Sequence, residues 1–210
     1  MKAVLALLAM LVPSITFADT IALEYGGFYD RLNSLKKAEV NLIDVKFFVR
    51  PAAQDSCEIS SLTLINKKHR QSLMVGHDGS LMVPFDRRLK SDRALLEVDV
   101  DGTETSCNLA ISIQSKPALS SDVSGDWLMS VYQQLDKVYD RFAGFPMRYF
   151  RDPLTGVTLH NESDEAIVIT GLATVSSIAA HSTLQLSSQQ LAQVESLSVV
   201  PQHFKITAWF

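Results

Sequence analysis

The sequence predicts an α+β fold. Its N-terminal part is a β-rich region, an immunoglobulin-like sandwich or similar, with one disulfide; a small α+β region led by one long amphipathic helix follows. Three observations carry this. From Glu58 to Ser115 the apolar residues recur with a period of two, broken by turn residues, as in half-buried strands. The two cysteines, Cys57 and Cys107, bracket that stretch. From Leu128 to Phe142 the apolar period becomes helical.

The chain opens MKAVLALLAMLVPSITFADT. Lys2, the apolar run Ala3–Val12 and the small-residue ending at Ala18 predict a signal peptide over residues 1–18, cleaved before Asp19. The run is too short for a bilayer, which needs about 20 apolar residues. The expected destination is the periplasm, with secretion to the medium as the alternative. The remaining chain holds 18 basic against 23 acidic residues once Lys2 is removed, a net charge near −5. That balance argues against nucleic acid, which needs clustered Lys and Arg to displace counterions. No later stretch is long and apolar enough for a stable membrane span.

In an exported chain an even pair of cysteines is most simply a structural disulfide, here Cys57–Cys107. A redox or metal role wants close cysteines with further ligands, and neither has a neighbouring histidine.

TIALEY predicts a first strand, and Phe28, Leu32 and Leu35 a short helix entered through Gly26-Gly27. VNLIDVKFFV reads as a strand stopped by Pro51. EISSLTLIN, QSLMV, SLMVPF, ALLEVDVDG and SCNLAISIQ follow as strand candidates, the fourth ending in an Asp101-Gly102 turn. No tryptophan lies between the cysteines, which departs from the immunoglobulin pattern. Arg87, Arg88, Lys90 and Arg93 form a basic corner that reads as a solvated turn, offset by Asp86 and Asp92.

The region 19–118 is thus the β-rich domain. Residues 119–124, rich in Ser and Asp, are the expected linker to an α+β domain over 125–210. Leu128, Val131, Leu135, Val138 and Phe142 mark its leading helix, capped by Ser124 or Asp126 and ended by Gly144 and Pro146. GVTLHN, EAIVITG, ATVSSIAA, TLQL and FKITAW are strand candidates. Ser187-Ser188-Gln189-Gln190 predicts a capping box opening a helix through Leu197.

The strings GGFYDRL, RFAGFP and AWF, together with the paired cysteines, resemble an uncharacterised family of exported proteins from Gram-negative bacteria, a domain of unknown function. The resemblance implies periplasmic export and no catalytic residue, cofactor or substrate.

Signals of chemistry are sparse. The five histidines, His69, His77, His160, His181 and His203, show no HExxH spacing, and no GxSxG motif occurs. No catalytic, cofactor-binding or metal-ligating residue is therefore predicted, and no cofactor. The expected function is an exported, non-catalytic binding or envelope-interaction module for an envelope protein or peptide. The alternative is a periplasmic hydrolase or other enzyme with a site built from sequence-distant residues.

One stretch invites a ligand reading: SLMV-GHDG-SLMV, Ser72 to Val83, with Met74, His77, Asp78 and Met82 as soft-metal or catalytic groups. A hairpin bulged at a left-handed Gly79 sets Met74 opposite Met82, whereas an unbulged one sets it opposite Leu81. Gly-His-Asp-Gly suits the bulged form. Two thioethers make a poor metal site. The opposed methionines are expected to fill a gap in the core.

Overall fold

Period-two alternation dominates the chain, and in space it resolves into three antiparallel sheets. The structure, a computed structural model, describes residues 19–51, 57–101 and 107–210; the expected leader over 1–18 and Gly102 lie outside them. The first half comprises β1 (Asp19–Glu24), α1 (Tyr25–Ala38), β2 (Ile43–Pro51), β3 (Glu58–Asn66), β4 (His69–Ser72), α2 (Arg87–Ser91), β5 (Leu95–Asp101) and β6 (Cys107–Ser115). Then come β7 (Asp122–Ser124), α3 (Gly125–Ala143), β8 (Gly156–Asn161), β9 (Ile167–Thr170) and β10 (Ser177–Ile178). The chain closes with β11 (Ser182–Ser187), α4 (Ser188–Leu191), β12 (Ser196–Ser198) and β13 (Phe204–Trp209).

The first sheet runs β1-β5-β3-β4, the second β11-β8-β13-β6-β2, and a small third sheet β10-β9-β12-β7. Alternation decides which side of each strand is buried. On β2 the odd residues Ile43, Val45, Phe47 and Val49 are buried, while Asp44 and Lys46 are partly exposed. Helices α1 and α3 cover the apolar face of this second sheet. Its other face carries a polar row in register across five strands: Asp44, Gln114, Thr207, Thr158 and Gln185.

Two apolar cores result. One gathers Tyr25, Phe28, Phe47, Leu96, Val98 and neighbours between α1 and the first sheet; the other packs Leu128, Val131, Leu135 and Val138 of α3 on the C-terminal strands. Leu35, Ile113 and Phe142 border both. The Cys57–Cys107 disulfide joins the entrance of β3 in the first sheet to the start of β6 in the second. A mostly β chain with helices and one disulfide is thus established, although the strand orders do not establish an immunoglobulin sandwich. The second sheet draws β2 and β6 from before the 119–124 segment and β8, β11 and β13 from after it.

Helix α3 begins where its sequence says. Ser124 Oγ accepts the Trp127 N–H at 3.3 Å, and Gly125 is buried against the neighbouring chain, its N–H donating to the Glu195 carbonyl at 2.9 Å. A Cβ on Gly125 would lie 1.9 Å from the Val194 carbonyl oxygen, so no other residue fits.

Several local expectations are corrected. Gly26 and Gly27 lie inside α1 rather than ahead of it, because Tyr25 already starts the helix. Asp122–Ser124 of the expected linker is strand β7, too short for any period to register. The capping box at Ser187 and Gln190 is present, but α4 ends at Leu191 and Leu197 belongs to β12. The basic corner is the short helix α2, capped by Asp86. SLMVPF forms no strand; isolated bridges at Phe48–Ser80 and Val75–Leu81 replace it.

Candidate functional site

The SLMV-GHDG-SLMV segment is a bulged turn laid against the outer edge of β2. Gly79 has φ +78°, its N–H donates to the Gly76 carbonyl at 2.9 Å, and the Gly76 N–H donates to the Ser80 carbonyl at 2.7 Å. Val75 pairs with Leu81, and the Met82 N–H donates to the Met74 carbonyl at 3.1 Å, so the methionines are opposed as the bulged register requires. Their side chains, however, point outward, 74% and 52% exposed. Leu73, Leu81 and Val83 take the core instead. The expectation that the methionines fill a core gap is wrong because SLMV offers apolar residues on both faces, and the inward face is the other one.

This segment closes the sheet edge. The Leu81 N–H donates to the Phe47 carbonyl at 2.8 Å, and Asp44 Oδ1 accepts the neighbouring outward N–H of Val45 at 2.8 Å. Lys46 pairs with Asp78 at 2.6 Å. Asp78 Oδ1 also accepts from the Ser80 hydroxyl and N–H. Partial burial pushes the Asp78 carboxyl up, but the hydrogen bonds from Lys46 and Ser80 and the Lys46 charge outweigh it and hold the group well below its ordinary range. At the far end Tyr25, buried in the core, donates its hydroxyl to the Pro84 carbonyl at 2.6 Å and accepts the Asp86 N–H at 2.8 Å. Such devices are how an exposed strand edge is protected from pairing with other chains.

Along the same edge runs a cavity of about 1190 Å³, lined among others by Lys46, Phe48, Leu81, Gln114, Glu162 and Lys205. Four of its charges are matched from within: Lys46 with Asp78, Lys205 with Glu162. Gln114 is buried, and its Oε1 accepts from the Ser112 hydroxyl at 2.9 Å. The nearest approach to a nucleophile–base pair is on the polar sheet face, where His160 Nε2 and Thr207 Oγ1 are 2.9 Å apart. Burial first, and then the Lys205 charge, lower the His160 imidazole and favour its neutral form, against a smaller opposing effect of Glu162. Among the described residues no third group orients this imidazole by a hydrogen bond. His69, His77, His181 and His203 are exposed; His77 and His203 both border the cavity, and His181 pairs with Asp164 at 2.8 Å. Among the described residues no three His, Cys, Asp or Glu side chains are placed to hold a metal.

The most anomalous surface lies elsewhere, just after α3. Gly144, at φ +67°, ends the helix, and the chain then folds back as a tight knuckle over Phe145–Phe150. The Arg148 N–H donates to the Gly144 carbonyl at 2.7 Å, that of Tyr149 to Pro146 at 3.1 Å, and that of Phe150 to Met147 at 3.0 Å. Arg151 ties the knuckle to α3, its guanidinium bridging Asp136 and Asp140 at 2.6 Å each. On this fixed frame Phe145, Met147, Tyr149 and Phe150 are 82, 60, 64 and 76% exposed. Phe145 meets Tyr149 edge-on, and the Arg148 guanidinium lies 4.7 Å from the Tyr149 ring centre. Scattered exposed apolar residues are ordinary on a protein surface, but a cluster held outward by its own backbone hydrogen bonds marks a contact surface.

Sequence reasoning used this stretch only to end a helix and to carry a resemblance. The signal available was FPMRYF itself, large apolar residues directly after a helix-ending glycine, in a position with no core to enter.

The knuckle lies within residues 17–160, over which the chain matches the family described as Protein of unknown function (DUF2987). The chain belongs to this family. None of the curated proteins and none of the solved structures compared with it matches. Membership thus supports the resemblance to a domain of unknown function and assigns the DUF2987 chain no chemistry.

Proposed function

We propose that this protein is an exported, periplasmic, non-catalytic envelope-interaction module of a Gram-negative bacterium, and that the 145–150 knuckle is its contact surface. The leader-like sequence over 1–18 and the disulfide support export, since such bonds persist in oxidising compartments. The observation that carries the interaction reading is the exposure of Phe145, Met147, Tyr149 and Phe150 on a hydrogen-bonded turn. Phe, Tyr, Met and Arg are also the residue types enriched at the centres of contact surfaces.

Photo-crosslinking in cells tests this. A photoreactive phenylalanine analogue at position 150 should give reproducible adducts, with protein or lipid, in the envelope fraction. The same group at Thr183, exposed on the polar sheet face, should not. Equal labelling from both positions, or none from position 150, removes the knuckle as the contact surface.

A further inference from the structure

We infer that the Phe145–Phe150 knuckle docks into the interfacial layer of an envelope lipid bilayer. The inference rests on the reading of the knuckle as a contact surface and commits it to one occupant.

Size and shape favour lipid over protein. The apolar patch ends abruptly where Asp136, Asp140 and Arg151 form ion pairs and Asp152 follows. What remains is four exposed apolar side chains, Phe145, Met147, Tyr149 and Phe150, against the roughly 20 to 30 residues each partner contributes to a stable protein interface. Residues 145 to 150 are all exposed, and a run exposed throughout needs a matching hollow on a protein, whereas a bilayer yields to it. Charge agrees. Arg148 is the one ionic residue in Phe145–Phe150, so no carboxylate within the knuckle opposes an anionic headgroup. Its guanidinium lies against Tyr149 and donates to the Tyr149 hydroxyl at 2.6 Å, which sets cation and hydroxyl together at the rim of an apolar tip. Aromatic rings with a polar handle, flanked by arginine, settle at headgroup depth in membrane proteins. The backbone hydrogen bonds that fix the knuckle mean that docking orders little further chain. Among the described residues no helix is long and apolar enough to cross a membrane, so the attachment is peripheral.

The test uses the chain without residues 1–18, whose apolar run would bind lipid by itself. It should float with vesicles of phosphatidylethanolamine and phosphatidylglycerol. The double substitution Phe145→Ser/Phe150→Ser should lower partitioning at least ~tenfold. Arg148→Ala should lower it about fivefold on vesicles containing phosphatidylglycerol and little on neutral phosphatidylcholine. Phe150→Trp should give a blue-shifted emission with vesicles, quenched by brominated acyl chains. All these sites are exposed, and circular dichroism checks that the variants remain folded. A wild-type chain that does not float overturns the inference, as does a folded double variant that floats equally well. Lipid-free self-association abolished by the double substitution also overturns it, in favour of a second copy as occupant. Protein adducts from position 150 without flotation would leave the interaction reading standing and remove the lipid.

Discussion

At the scale of single residues, Asp78 shows how one side chain holds a whole segment in place. It accepts from Lys46 across the sheet edge and from Ser80 within the turn, so the loop and β2 share one carboxylate. Its folded value is depressed, and the sign follows. The stabilisation is fully present above its unfolded value of about 3.9 and is lost as the pH falls toward the folded value. The pair is partly exposed, so the amount is small, about 0.5 kcal/mol. Its effect is local: the amides of Gly76 and Leu81, which donate to Ser80 and Phe47, should lose about twofold in exchange protection as the pH falls from 4 to 2, while the Val131 amide within α3 keeps its own. In Asp78→Ala the Gly76 and Leu81 amides should already be about twofold less protected at pH 4 and should change little further at pH 2. Unchanged protection in that variant would show that the backbone bonds alone hold the loop.

At the scale of elements, the disulfide joins the first sheet to the second, linking Cys57 before β3 to Cys107 in β6 across 50 residues. Closing a loop of that length removes unfolded-state entropy worth about 4 kcal/mol. Cys57→Ala/Cys107→Ala should lower the unfolding free energy by an amount of that order in a urea titration, and the reduced wild type should match it. A loss below ~1 kcal/mol would mean that the native strands already impose the constraint. Elements of this kind were legible. Helix α3 was readable because its period, its Ser124 cap and its Gly144 stop agree, and β2, β3, β5 and β6 because alternation over seven or nine residues is unambiguous. Pairing was not: the Thr207–Gln114 register joins residues far apart in sequence, and no local pattern encodes a distant partner. The hairpin register was readable from Gly79, but its inward face was not, since Leu73 and Met74 are equally apolar. The knuckle was missed because periodicity finds what is buried, and its meaning lies in what is not.

At the scale of the molecule, the second sheet argues against two independent halves. Strand β6 sits between β2 and β13, α1 packs on α3, and the two cores meet at Leu35, Ile113 and Phe142. A fragment of residues 19–118 would keep β2 beside β6 but lose the neighbour on the other edge of β6. It would also uncover the apolar face that α3 protects. Leu109 and Ile111, already partly exposed on β6, would then adjoin that uncovered apolar face, a site for aggregation. We therefore predict that residues 19–118 alone give an insoluble or molten product. The chain over 19–210 should unfold in one transition. Both tryptophans, Trp127 and Trp209, lie in the later half, so their fluorescence reports that half, while Tyr25 is buried in the earlier core. Tryptophan fluorescence and hydrogen exchange of the β3 and β5 amides should give coincident midpoints in urea. Separated midpoints, together with a soluble 19–118 fragment whose NMR spectrum is dispersed, would instead mean that β6 needs no partner from the C-terminal half. The shared sheet would then be a docking of two finished domains rather than one cooperative core.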